Sequence, residues 1–258
     1  MTMHRVLVIV PFPMSAENLE KRRAQLRAVR LVEGVSFEFR PVAFAPSGYV
    51  SQHDSVLADL GILAAGVNAQ AEGFDAVCID TMSDSGMTPL RAALDIPVIG
   101  PGRHAMLSAL MLGERFSILA MWDKWRHLYA KTLADLGLGD KCASVRAAGL
   151  RPDNQSLLGG KEDETFPALH RAALQCVEED GADVIVLGST TMHEAHGYLA
   201  ERLPVPVINP GPLTYRMAIA ALGLGHRHSR RAYPAAATSE TARLRALAEA
   251  GAVLTERG

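Results

Sequence analysis

"GADVIVLGSTTMHE" (181–194) and "GFDAVCIDTMSDSG" (73–86) are one pattern written twice. Gly181 aligns with Gly73, Asp183 with Asp75, and Ser189 with Thr81. In each copy a short apolar run leads to a hydroxyl residue. A second block repeats downstream, "IPVIGPG" (96–102) against "VPVINPG" (205–211). From hydroxyl to last glycine the interval is 21 residues in one copy (81 to 102) and 22 in the other (189 to 211). Each copy then enters an apolar helix ending in Leu-Gly, "HAMLSALMLG" and "LTYRMAIAALGLG". Two matched blocks at nearly constant spacing mark an internal duplication.

Strand candidates are short, apolar and β-branched, at 5–10, 35–44, 75–80, 97–100, 116–121, 143–148, 183–188 and 206–209. Helical patterns separate them, as in "AENLEKRRAQLRAVRLV" and "ETFPALHRAALQCVEEDG", and the tail "TSETARLRALAEAGAVLTERG" reads as a last amphipathic helix. This alternation predicts an α/β fold with mostly parallel sheets flanked by helices. With the duplication it predicts two Rossmann-like lobes related by a pseudo-twofold axis. Residues 1–100 plus about 212–258 form the first and 101–211 the second. Thr81 and Ser189 then end equivalent strands, where α/β sheets bind ligands, and the expected site is the cleft between the lobes.

The chain has 258 residues, 48% hydrophobic and 21% charged, with a net charge of −2. That composition suits a globular protein and carries no basic surplus for nucleic acid or anionic lipid. No apolar run approaches the length of a membrane span, and "MTMHRVLVIVPFP" reads as a first strand rather than a signal peptide. The three cysteines, Cys78, Cys142 and Cys176, form no CxxC pair and no zinc spacing. Scattered thiols fit a reducing, cytoplasmic location. There is no GxGxxG and no P-loop, so no nucleotide or other cofactor is expected. The expected partner is a small-molecule substrate, and self-association is left open.

The duplicated motifs resemble the aspartate/glutamate racemase superfamily, and within it the hydantoin and allantoin racemase branch. "VCIDTMSDSG", "VIVLGSTTM", "IPVIGPG", "LGERFSIL" and "EEDGADVIVLG" carry the likeness, which extends over nearly the whole chain. The resemblance implies a two-lobed fold and two catalytic cysteines, one per lobe, that remove and return a proton on opposite faces of a carbon. Thr81 stands where the first thiol is implied and Ser189 where the second is.

A lone alcohol is too weakly acidic to be a base near neutral pH. It orients a ligand by hydrogen bonds, or attacks with a base beside it. "STTMHEAH" supplies His193 and His196 close after Ser189, and Asp80 and Asp84 flank Thr81. If a helix begins at Thr190–Thr191, Ser189 and His193 share one side of its first turn. Thr81, Ser189, His193 and Asp80 are therefore the catalytic candidates. Ser189 and Thr190 also suit a helix N-cap, as does Asp84. A buried Asp80 needs a partner.

Substrate-binding candidates are Pro11, Phe12 and Met14 after the first strand, Ser83 and Asp84 in the first turn, and Trp122 after the fifth strand. Thr190 and Thr191 in the second turn join them, with Gly102, Pro210 and Gly211 at the repeated strand ends. Asp80, His193 and His196 are an alternative metal set, although "HEAH" is not the HExxH helix. Three readings follow. The first is proton transfer at carbon on a small carboxylate or hydantoin-like cyclic amide. The second is a hydrolase or lyase using Ser189, His193 and Asp80. The third is a non-catalytic small-molecule binder.

Overall fold

The computed structural model describes residues 3–29, 33–151, 162–236 and 240–256. In chain order the elements begin β1 His4–Val10, α1 Ala16–Arg23, β2 Val35–Pro41, α2 Gln52–Gly66, β3 Ala76–Ile79, α3 Met87–Ala93, β4 Val98–Ile99 and α4 Pro101–Ala109. They continue β5 Phe116–Ala120, α5 Arg126–Leu136, β6 Cys142–Ala147, α6 Glu162–Glu178, β7 Val184–Leu187, α7 Ala195–Ala200, β8 Val207–Ile208, α8 Pro210–Gly223 and α9 Thr241–Glu256. Every strand expected from the sequence is present. The helix expected over 16–32 becomes a tighter 3-10 stretch at Ala24–Ala28. Its end at 30–32, and the tail helix's ends at 238–239 and 257–258, lie outside the described residues.

The chain divides into two compact units, Met1–Gly100 with Thr214–Gly258, and Pro101–Leu213. The first unit holds one parallel sheet in the order β2-β1-β3-β4. Its central strand shows why both faces are covered. Leu7 and Ile9 point into a cluster with Ile62 of α2 and Leu90 of α3. Val6, Val8 and Val10 point the other way, onto Phe39 and onto Tyr215, Ala218 and Ala221 of α8. Side chains alternate across a strand, so a continuous run of valine, leucine and isoleucine needs an apolar partner on each face.

The second unit repeats the topology, with a parallel sheet in the order β6-β5-β7-β8. Phe116, Ile118, Leu119 and Ala120 of β5 are fully buried, as are Val184 to Leu187 of β7. Helix α6 buries Leu169, Ala172, Ala173 and Cys176, the i, i+3, i+4, i+7 stripe of an amphipathic helix. No helix among the described residues is long and apolar enough to cross a membrane.

Parallel pairing brings the carboxyl ends of β1, β3 and β4 together in one unit, and those of β5, β7 and β8 together in the other. The polar chemistry of each unit gathers there.

Candidate functional site

In the first unit β3 ends where the Asp80 N–H donates to the Ile9 carbonyl at 3.0 Å. The next residue, Thr81, is half-buried and opens a turn of linked hydroxyls. Thr81 Oγ1 lies 3.2 Å from Ser83 Oγ, which lies 2.8 Å from Ser85 Oγ. Asp84 follows in the left-handed region at φ 51°, and is buried. A Cβ on Gly100 at the end of β4 would stand 2.5 Å from Asp84 Oδ1, so the Asp84 carboxyl packs directly on that glycine. Asp84 therefore does not take the N-cap position of α3 expected from the sequence. Gly86 takes it, at φ 73°, and its N–H donates to Asp59 Oδ1 at 2.7 Å.

Asp80 has found a partner. Its Oδ2 accepts from Arg22 Nε at 3.0 Å and, in a still shorter contact, from Arg22 Nη2. The two side chains are only 2% and 1% exposed, so this is a buried ion pair between α1 and the end of β3. A carboxylate so engaged is an anchor before it is a base: protonating it would leave the guanidinium charge buried beside a neutral acid.

The second unit places Ser189 in the matching position, half-buried after β7. Ser189 Oγ lies 2.7 Å from Thr191 Oγ1 and accepts from the Thr191 N–H at 3.2 Å. Thr191 Oγ1 also lies 3.8 Å from Met121 Sδ. The chain then makes a 3-10 turn over Thr190–Met192, closed by Met192 N–H donating to Ser189 O at 3.2 Å. The first turn expected after Ser189 begins at Thr190, but it forms as 3-10 rather than α. The serine's bond to a backbone N–H two residues on tightens the turn, and α7 starts only at Ala195. Among the described residues Ser189 directs its side-chain bonds to Thr191. His193 sits half-buried at the end of the 3-10 turn. His196 Nε2 is 3.1 Å from the Val207 carbonyl, against edge strand β8.

Pro11 is buried beyond the end of β1, with Phe12 and Met14 half-buried after it. Phe12 meets the Tyr49 ring edge-on at 5.4 Å, and the Tyr49 hydroxyl donates to Pro11 O at 3.2 Å. Trp122 follows β5 and meets Trp125 in a T-shaped contact at 6.4 Å, with Lys124 Nζ 5.1 Å from the Trp122 ring centre. Trp125 is buried and packs, whereas Trp122 keeps part of its surface. Gly102 opens α4, and Pro210 and Gly211 open α8; all three are buried. Among the described residues no cluster of three or more His, Cys, Asp or Glu side chains could hold a metal ion.

None of the thiols stands at a strand end with the hydroxyls. Cys78 is fully buried in β3, and burial together with nearby Asp80 pushes its thiol far up. Cys142 opens β6, and burial raises its pKa to about 11. Cys176 is buried in α6, and burial raises it too.

Three positioning side chains escaped the sequence reading: Arg22, Tyr49 and Tyr129. Arg22 carried a signal. It lies three residues after Leu19 and four before Leu26, on the face that packs against the sheet. An arginine in an apolar stripe asks for a buried anion.

Comparison with known proteins agrees with this architecture. Residues 7–218 match the family described as Asp/Glu/Hydantoin racemase. The chain is 27% identical over 229 residues to a hydantoin racemase of Paenarthrobacter aurescens, covering 88% of this chain and 94% of that one. It is 30% identical over 189 residues to a hydantoin racemase of Rhizobium meliloti, covering 72% of this chain and 76% of the other. Among solved structures, an allantoin racemase from Klebsiella pneumoniae superposes with a TM-score of 0.81 at 26% identity, covering 93% of this chain and 98% of that one. The chain belongs to the Asp/Glu/hydantoin racemase family.

Proposed function

We propose that the protein is an enzyme of racemase or isomerase type. It moves a proton at a carbon of a small carboxylate or a hydantoin-like cyclic amide. Thr81 and Ser189 stand in place of the family's two thiols. One observation carries this reading: hydroxyls hold the two equivalent strand ends, while every cysteine lies elsewhere with its thiol pushed up.

The hydroxyls act in this reading as donors, not bases. Removing a proton next to a carbonyl puts negative charge on the carbonyl oxygen. A fixed donor aimed at that oxygen is worth about 2.7–4 kcal/mol of barrier. Ser83 and Thr191 take part in the hydroxyl–hydroxyl bonds that fix the direction of each donor. The proton goes to the His193 imidazole, because the Asp80 carboxylate is committed to Arg22. Pro11, Phe12, Met14 and Trp122 give the substrate an apolar margin, which suits a substituent larger than a methyl group.

The test is proton NMR in D2O with a panel of 5-substituted hydantoins and small α-substituted carboxylates. Loss of the signal of the hydrogen on the reacting carbon is the expected result. New ring-opened or decarboxylated products would replace this reading with hydrolysis or lysis. Saturable binding with neither would make the protein a binder.

A second expectation separates this enzyme from a thiol machine. Iodoacetamide leaves its exchange activity within about twofold of the untreated protein, whereas it silences an enzyme that depends on thiolates. Only the thiolate reacts, so with Cys142 near 11 its labelling rate climbs about tenfold per pH unit between pH 8 and 10 without levelling off. Peptide mass spectrometry and an activity assay on the same samples read both effects.

A further inference from the structure

The residue just before each hydroxyl is held by a side chain from the equivalent helix of its own unit. The duplication pairs Asp80 with Gly188. Each is the last residue of its strand bonded into the sheet: Asp80 N–H donates to Ile9 O at 3.0 Å, and Gly188 N–H to Leu119 O at 2.8 Å. In the first unit Arg22 of α1, the helix after the central strand, reaches the Asp80 carbonyl through Nη2 at 3.5 Å and grips its carboxylate. In the second unit Tyr129 of α5, again the helix after the central strand, donates its hydroxyl to the Gly188 carbonyl at 2.7 Å. The chemistry of the two clamps differs, but their target is the same peptide.

Neither clamp can be reached by a substrate. Arg22 is 1% exposed and Tyr129 is fully buried. Burial also pushes the Tyr129 phenol well above its ordinary range, so it remains a donor. The fit at Gly188 is close: a Cβ there would stand 2.7 Å from the Tyr129 hydroxyl and 2.8 Å from Leu119 O. Glycine at 188 makes room for the clamp, where the first unit has a carboxylate that the clamp pairs with.

We infer that Arg22 and Tyr129 are a matched pair of positioning residues, which fix the peptides carrying Thr81 and Ser189 and so set the direction of both hydroxyl donors. The role in turnover rests on the proton-transfer reading above; the fixing of the turns does not. A hydroxyl on an unclamped peptide samples directions in which it cannot reach the developing charge. Misplacement on the order of 1 Å is enough to cost about 100-fold in rate.

The test uses Tyr129→Phe, which keeps the ring and removes only the donor, and Arg22→Lys, which keeps the charge and loses the fork. Ser117→Ala is the control. Ser117 is as deeply buried in β5, and its hydroxyl bond at 2.8 Å runs to Ser144 on β6, not to the turn. Amide hydrogen exchange by mass spectrometry is read first because it needs no substrate. Peptides across 188–192 exchange about tenfold faster in Tyr129→Phe than in the wild type, those across β6 do not, and Ser117→Ala leaves 188–192 unchanged. Peptides across 80–85 respond in the same way to Arg22→Lys. On a substrate that the wild type exchanges, kcat falls about 10- to 100-fold in Tyr129→Phe with KM within about twofold, and Ser117→Ala keeps its kcat. Unchanged protection at 188–192 overturns the inference whatever the activity. So does a kcat loss that Ser117→Ala shares. If the wild type turns over none of the panel while the protection pattern appears, the functional reading fails and the clamps stand.

Discussion

Arg22→Met lowers the stability of the fold by about 3–5 kcal/mol, the cost of leaving one member of a buried ion pair without its counter-ion. The Arg22 and Asp80 side chains are both buried, so water cannot take over when the partner is lost. The methionine keeps most of the arginine's apolar stem, which isolates the electrostatic loss from a packing loss. Adding Asp80→Asn to Arg22→Met restores most of the stability, since the stranded charge is then gone. Equilibrium urea unfolding of the wild type, the single variant and the double variant reads both effects. A loss under about 1 kcal/mol in the single variant would show that the pair behaves as a solvated one.

His193→Gln has the largest expected effect on turnover. Glutamine keeps a polar side chain of similar reach but cannot accept and hold a proton near neutral pH. General-base catalysis by a positioned side chain is worth about 100- to 10,000-fold, and α-carbon exchange falls by that amount. In the proposed site the hydroxyl turns hold the substrate, so its affinity changes little. Asp80→Asn is the contrasting variant. If Asp80 were the base it would match the His193→Gln loss. As an anchor, it disturbs the setting of Thr81 and strands the Arg22 charge, so its loss of exchange comes with a loss of stability that His193→Gln does not show. Initial exchange rates of the two variants, taken with substrate binding by calorimetry, decide between these roles.

The fold was legible in the chain because the repeat and the strand pattern point to the same answer. Continuous runs such as "RVLVIV" and "DVIVLG" read as strands buried on both faces, and β1 and β7 are buried on both faces. The carboxyl-end positions of Thr81 and Ser189 followed from the same register. The need of Asp80 for a counter-charge followed from its place at the end of an apolar strand. Which cation meets it did not, because Arg22 is one of three consecutive basic residues in "KRR" and only the three-dimensional face of α1 singles it out. The turn after Ser189 was open for another reason. A serine can cap an α-helix or tighten a 3-10 turn with the same hydroxyl, and here it does the second, so that His193 closes a 3-10 turn and α7 starts only at Ala195. Asp84 illustrates the same limit: aspartate tolerates the left-handed region, but the tertiary fold decides that this turn uses it, with the carboxyl packed on Gly100.

The central claim is that two hydroxyl donors and a single imidazole have taken over from a pair of opposed thiols. A machine with one base returns a proton mainly to the face from which it took one. A machine with two opposed acid–base groups inverts the carbon at nearly every exchange. The direct measurement follows one enantiomer of an active substrate in D2O, reading deuterium uptake by NMR and inversion by chiral chromatography in the same sample. Deuterium uptake that runs ahead of inversion, with inversion following as the slower outcome of a racemase-type enzyme, is the expected result. Uptake and inversion at equal initial rates, with activity lost to iodoacetamide, would contradict the claim and return the chemistry to thiols.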